Sequence, residues 1–447
     1  MLKFLKYPAI MLGMVAPPLW AQAGAGAPGE PLSTVPLTDS GDTAWVLACT
    51  LLVLSAVMSG TVLRVGSLVR SRNSVSVSVQ AVLVVALTCI VWIILGYSLA
   101  FDVGTPDAPS GTSWLGGARN FLLNNLSELR IDLTIPESSF VIFQFSVALF
   151  APLLLTGVWA ERVRLAWMMA FVPLWVLAGY APVAHWLFAD GWLAASGGVD
   201  SGGGLVVHTM AGVSALAVAL MLKGRNSRAT PATPASSPML MIVGSLLLAV
   251  AQFAVYGGIA FEANDAASSA LINAFSALSA GIIGASLVAA LHRQPLSARL
   301  MTQGMLSGLA AIGAGVGYVA PGGALLLGLI GGLACQLVIT QFERRFLLDD
   351  PGNIFAIHGV GGIIGALTFP VFVDSHFGGG GFDRGTSMAT MLGAQAFATG
   401  VVVLWAAFVT FAIGYGLTLA LPMRVSAEDE ARGLDTSTHG EKAWEFE

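Results

Sequence analysis

Two histidines carry most of the chemistry this sequence offers. His208 lies in Val207-His208-Thr209-Met210-Ala211-Gly212-Val213, and His358 lies in Ile357-His358-Gly359-Val360-Gly361-Gly362-Ile363. Each histidine is followed, after three residues, by glycine and a β-branched residue. Both sit a few residues inside long apolar stretches. An ionisable side chain at that depth is costly and normally faces the interior of a helix bundle. Two neutral imidazoles can hydrogen-bond, one donating and one accepting, and their free nitrogens can pass a small polar solute or a proton. Two alternatives stay open on the sequence alone. The histidines could be separate, each satisfied by a neighbour. They could also bind zinc, although no Cys, Asp or Glu ligand accompanies them and the site would be incomplete. Asp200 precedes Ser201-Gly202-Gly203-Gly204, eight residues before His208. That is roughly 12 Å of helix, too far for a bond to the imidazole. Its position suits a cap that accepts from the first free amides of the helix.

The elements that hold these residues follow from composition. Apolar residues make up 56% of the 447 and charged residues 10%, against roughly 25% charged in a soluble domain. Such a chain cannot cover itself with charge, so its solvent is largely lipid. Runs at 81–99, 205–222 and 401–421 each approach the roughly 20 apolar residues that span a bilayer as a helix. Their length excludes a porin, whose strands need only about 10 residues of alternating pattern. Eleven spans are expected, near 44–66, 76–100, 138–158, 164–187, 203–222, 238–260, 268–291, 301–319, 322–342, 355–373 and 391–421. The fold class is therefore all-α: a polytopic membrane protein of eleven transmembrane helices, an inverted 5+5 repeat plus a final long helix. The repeat is the histidine motif itself, in spans five and ten. An odd number of spans per unit inverts the second copy and places a substrate path at the repeat interface.

Alternate loops carry Arg70 and Arg72, then Arg162 and Arg164, then Lys223, Arg225 and Arg228, then Arg293 and Arg299, then Arg344 and Arg345. The opposite loops carry only Arg119, Arg130 and Arg384. By the positive-inside rule the first set is cytoplasmic, the mature N-terminus is outside and the tail is inside. Lys3 and Lys6, a short apolar stretch and Ala21-Gln22-Ala23 suggest a cleaved signal peptide over residues 1–23. A periplasmic segment over 24–41, a membrane domain over 42–424 and a cytoplasmic tail over 425–447 complete the expected organisation. Cys49, Cys89 and Cys335 lie in apolar stretches without CxxC spacing and read as small buried hydrophobes. No basic patch suggests nucleic acid. No nucleophile–base set or cofactor loop suggests an enzyme, and no cofactor is expected.

Asp200-Ser201-Gly202-Gly203-Gly204-Leu205-Val206-Val207-His208 resembles the signature of the ammonium transporter family (Amt/Mep/Rh). So do Ala160-Glu161-Arg162-Val163-Arg164, Gly96-Tyr97-Ser98-Leu99-Ala100-Phe101, Asp349-Asp350-Pro351 and, in the tail, Gly433-Leu434-Asp435 with His439-Gly440-Glu441. The matches run from Gly41 to the tail, where Trp444 stands near the family's usual tyrosine. The resemblance implies a homotrimer in the bacterial inner membrane with one pore per subunit. Ammonium would be captured outside, lose its proton and pass the histidine pair as ammonia. A PII-type signalling protein at the cytoplasmic face is the implied partner. Several positions depart from the pattern. The family's outer recruitment trio of Trp, Phe and Ser aligns here with Phe188, Val147 and Ile259. Its two gating phenylalanines align with Val147 and Val255, just after a retained Phe143-Gln144. The aspartate shortly before the second histidine is Asn353, and the usual Leu-Phe-Tyr of span one reads Leu63-Arg64-Val65. Cations gain more over tryptophan than over phenylalanine, so these exchanges weaken ammonium selection. The first reading is an ammonium or ammonia channel; the alternatives are a non-conducting ammonium sensor and a channel for another small neutral solute.

Overall fold

Backbone polar groups in lipid have no water to satisfy them, so each span must close its own hydrogen bonds as a helix. The computed structural model describes residues 38–102, 114–127, 129–222, 236–345, 349–382 and 385–443. The expected signal peptide, most of the segment after it, Lys223, Arg225, Arg228, Arg384 and Trp444 lie outside the described residues.

Among the described residues eleven long helical segments follow one another: α1 (Ser40–Leu68), α2 (Ser71–Phe101), α3 (Glu137–Trp159), α4 (Leu165–Ala195), α5 (Gly204–Leu222), α6 (Pro238–Gly258), α7 (Asp265–Leu291), α8 (Ala298–Ile312), α9 (Pro321–Gln341), α10 (Phe355–Phe372) and α11 (Met388–Thr418). All but α8 are long and apolar enough to cross a membrane. Among the described residues the only extended pairing is an isolated bridge between Val163 and Arg424. The chain is thus all-helical and multi-pass, as its composition requires.

The exception, α8, is instructive. Its apolar pattern extends to about residue 319, yet the helix stops at Ile312 and gives a 3-10 turn over Gly313–Gly315. The amides of Gly202 and Ser201 donate to the carbonyls of Gly313 and Ala314, at 2.8 and 3.0 Å. Those carbonyls hold the chain that leads into α5, and a Cβ on Gly204 would come within 2.5 Å of the Ala314 amide nitrogen. Glycine on both sides permits the approach.

Burial separates the helices by role. α3 is buried over nearly its whole length, and the membrane-spanning part of α5 over most of it. α1, α7 and α11 present apolar flanks such as Leu51, Ile272, Phe275, Leu404 and Phe408 outward, the surfaces suited to lipid or to a neighbouring subunit. Of the two histidine-bearing helices, α5 therefore lies inside a sleeve of others, while α10 is buried over a smaller part of its length.

Candidate functional site

α5 and α10 begin alike. Each opens with a widened π turn, over Gly204–Thr209 and Phe355–Val360, and each turn contains its histidine. Such turns recur at functional sites. Asp200 Oδ2 accepts from the Leu205 and Val206 amides at 2.9 and 2.7 Å. Asp350 Oδ2 accepts from the Phe355 amide at 2.9 Å. Asp350 stands eight residues before His358, as Asp200 stands eight before His208. The carboxylate that answers Asp200 is therefore Asp350. Asn353 braces the same loop differently: its Oδ1 accepts from Arg299 Nη2 at 2.9 Å and from Gln303 Nε2 at 2.8 Å.

The two motifs meet at their glycines. A Cβ on Gly212 would lie 2.0 Å from the Gly359 amide nitrogen. A Cβ on Gly362 would lie 2.5 Å from the Gly204 carbonyl oxygen and 2.7 Å from Thr209 Oγ1. The glycine four residues after each histidine thus packs on the turn that carries the other one. This reciprocal crossing brings the imidazoles together. His208 Nδ1 and His358 Nδ1 are 3.0 Å apart, with ring centroids 5.0 Å apart and planes 14° from parallel. One Nδ1 must donate and the other accept, so the neutral pair holds opposite tautomers. Both rings are buried, at 1% and 3% exposure, and His208 Nε2 has no hydrogen-bond partner among the described residues.

Two side-chain rows lead to the pair. Phe143, Val147 and Phe150 fall on one face of α3 at i, i+4 and i+7. The Phe150 ring meets His208 edge to face at 6.2 Å. On α6 the row is Val255 and Gln252, with Ile259 just beyond the helix end, and the Gln252 side chain interacts with His208. The rows converge outward too: Phe143 packs edge-on to Phe261 at 5.6 Å and against Gly258. Val147 and Val255 are buried at 3% and 2% exposure. Phe188 and Ile259 are half-buried, Phe188 closing a helical stretch of α4. Gln144 is buried, and its Oε1 has no partner among the described residues. No cluster of three or more metal-ligating side chains occurs among the described residues.

Three of these contributors escape a reading of the sequence for different reasons. Asp350 had a signal, the repeated eight-residue spacing. Gln252 and Phe150 had none, because their contact with His208 depends on how α6 and α3 pack.

The loop before His358 is gripped by arginines. Arg162 Nη2 donates to the Asp349 carbonyl at 2.7 Å, and Arg299 Nη2 to the Pro351 carbonyl at 3.1 Å. Burial pushes the Asp350 carboxyl up to about 6, with nearby Asp349 adding to the rise, while the bonds from Phe355 and Ile354 and the charge of Arg162 oppose it. A carboxyl held above its unfolded value of about 3.9 favours the fold when protonated. That contribution is complete below about pH 4 and disappears as pH rises through about 6. The shift corresponds to stability on the order of 2–3 kcal/mol. Asp350→Asn should flatten this part of the melting profile in detergent between pH 4 and 6.5. An unchanged slope in that variant would refute the assignment.

The tail is docked. Ser76 donates its amide to Asp435 Oδ1 at 2.8 Å, and the Leu434 amide donates to Asn73 Oδ1 at 2.7 Å. Nearby, Arg164 donates from Nε to the Arg424 carbonyl at 2.9 Å.

Known proteins resemble this chain over most of its length. A family model described as Ammonium Transporter Family matches residues 44–444. A protein of Bacillus subtilis named "Ammonium transporter" is 32% identical over 407 residues, covering 91% of this chain and 98% of its own. "Ammonium transporter Amt1" of Archaeoglobus fulgidus is 31% identical, covering 90% and 99%. Among solved structures, one described as "Sensor Amt Protein" superposes with a TM-score of 0.82 at 25% identity, covering 89% of this chain and 98% of its own. Mep2 of Candida albicans superposes at 0.78 and 25% identity, covering 88% of each. These relatives carry the names of transporters and a sensor, not of enzymes, and by sequence and fold the chain belongs to the ammonium transporter family.

Proposed function

We propose that the protein is an ammonia-conducting channel of the bacterial inner membrane, in which ammonium gives up its proton outside and ammonia passes the His208–His358 pair. The observation that carries the reading is the pair itself, two buried imidazoles sharing a hydrogen bond at the crossing of two inverted motifs. A bare cation loses its hydration in such a site at a cost of several kcal/mol. A neutral hydrogen-bonding molecule loses far less. The Arg-rich loops face the cytoplasm and the tail lies inside, by the positive-inside rule. The working unit is a homotrimer, and a PII-type protein is its partner on the inner face.

Phe188, Val147 and Ile259 offer a cation only one aromatic face, so selection of ammonium over ammonia is weak. In proteoliposomes, flux should therefore follow free ammonia and rise about tenfold per pH unit while ammonium predominates. Saturable uptake at acidic pH with tight ammonium affinity would contradict this. A second reading, a non-conducting sensor, draws on the near-complete occlusion of Val147, Val255, His208 and His358. Flux no greater than that of protein-free liposomes would favour it.

A further inference from the structure

Arg64 is the one arginine of α1 and is buried, at 3% exposure. Its Nη1 donates to Ser245 Oγ on α6 at 2.9 Å and to Thr302 Oγ1 on α8 at 3.3 Å; its Nη2 donates to the Gly352 carbonyl at 3.3 Å. Ser245 and Thr302 donate onward to the carbonyls of Met241 and Arg299, so their lone pairs are left for the guanidinium. Every one of these partners is neutral. The charges that act on Arg64 include Arg299, itself a cation, and Asp350, whose Oδ2 is engaged by the Phe355 amide.

Its place relative to the histidines is specific. Ser245 and Gln252 are seven residues apart along α6, so Arg64 grips the same face whose Gln252 meets His208. Seven residues rise roughly 10 Å, toward the end of the bundle where Arg70, Arg162 and Arg299 lie. Gly352 is six residues before His358, and the Arg64 charge acts on the His358 ring. A route that continues past the histidines along this face runs into the guanidinium.

We infer that Arg64 is a fixed-charge filter on the basic-loop side of the histidine pair, turning back cations while leaving a neutral amine unopposed. The inference rests on the channel reading above. An arginine or a positive helix end can bar cations from a pore by field alone. The start of α10 adds its positive dipole at the same level. Because the charge is buried, dissolved salt screens it little. A phenylalanine there, as the family resemblance implies, would exert no such field. The filter also offsets what the outer end lacks, since discrimination against ions no longer depends on an aromatic recruitment site.

The test uses the full-length protein in proteoliposomes, with two readouts. An internal pH dye follows ammonia entry, and a solid-supported membrane records current driven by ammonium or potassium gradients. The parent and Arg64→Lys should pass ammonia with no current above empty liposomes. Arg64→Gln should keep ammonia entry and gain an ammonium current at least about tenfold above the parent. A purely structural role for Arg64 would alter ammonia entry or melting without creating charge movement. Arg64→Met serves as the neutral variant where Arg64→Gln fails to fold. Raising ionic strength on the parent alone should leave cation exclusion intact. Neutral variants that pass ammonia but no current, a parent that carries ammonium current as large as theirs, or exclusion that fades with salt would each overturn the filter. Absence of ammonia entry in every preparation would overturn the channel reading, and the filter with it.

Discussion

Replacing His208 by alanine should lower ammonia flux through reconstituted protein by up to about two orders of magnitude, the rate equivalent of the roughly 1–3 kcal/mol lost when a buried polar group loses its partner. His208 Nδ1 is the hydrogen-bond partner of His358 Nδ1 at 3.0 Å. Without it, the remaining imidazole has lost its bond in a buried site, and an unsatisfied buried polar group costs about 1–3 kcal/mol. The solute would also lose a free ring nitrogen, His208 Nε2, on a side chain that meets Gln252 and Phe150. His358→Ala should act in the same direction, and the double variant should cost little more than either, because the pair functions as a unit. Stopped-flow measurement with an internal pH dye gives the rates, and melting in detergent confirms that the variants are folded. Additive losses in the double variant would mean that the two rings act separately, and an unchanged rate in both single variants would remove them from the path.

The second large effect is on the fold. Gly212→Ala should destabilise the protein by about 3–5 kcal/mol, at the upper end for forcing an atom into a packed interior. The added methyl would stand 2.0 Å from the Gly359 nitrogen and 2.2 Å from its Cα. Both are backbone atoms, so no rotamer change can yield. Gly362→Ala meets the Gly204 carbonyl and the Thr209 backbone and should cost a similar amount. Gly400, on α11, has nothing within 4 Å of the same construction, and its alanine variant should melt within about 0.5 kcal/mol of the parent. Thermal unfolding of the three variants in one detergent compares them. If Gly212→Ala and Gly400→Ala melted alike, the crossing of α5 and α10 could not be as close as described. The two experiments also separate roles: small residues here permit helix approach, whereas the histidines act only once that approach is made.

Helical spans were legible in the sequence because the length and polarity of a lipid-spanning segment are local properties. The all-helical fold and the number of helical segments follow from them without knowledge of packing. The duplicated His-x-x-x-Gly motif was legible too, since a repeat survives in sequence whatever its partner does. With the Asp200–Gly204 stretch it pointed to the family, and the family is what the comparisons show. Other features were decided by tertiary structure. The early end of α8 comes from carbonyls taken by residues a hundred positions away, which no apolar pattern encodes. Arg64 reads in sequence as an anomaly in need of a partner. Only packing supplies Ser245, Thr302 and the Gly352 carbonyl, from three separate segments, and only packing sets the guanidinium on the α6 face that leads to His208. The same holds for the histidines. Their 150-residue separation is closed by Gly212 and Gly362 resting on each other's turns, a contact that depends on backbone approach. Sequence determined which residues could do the chemistry, because residue type and spacing are carried by the chain itself. Packing decided which of them share a bond, because that depends on distances between segments that the chain does not connect locally.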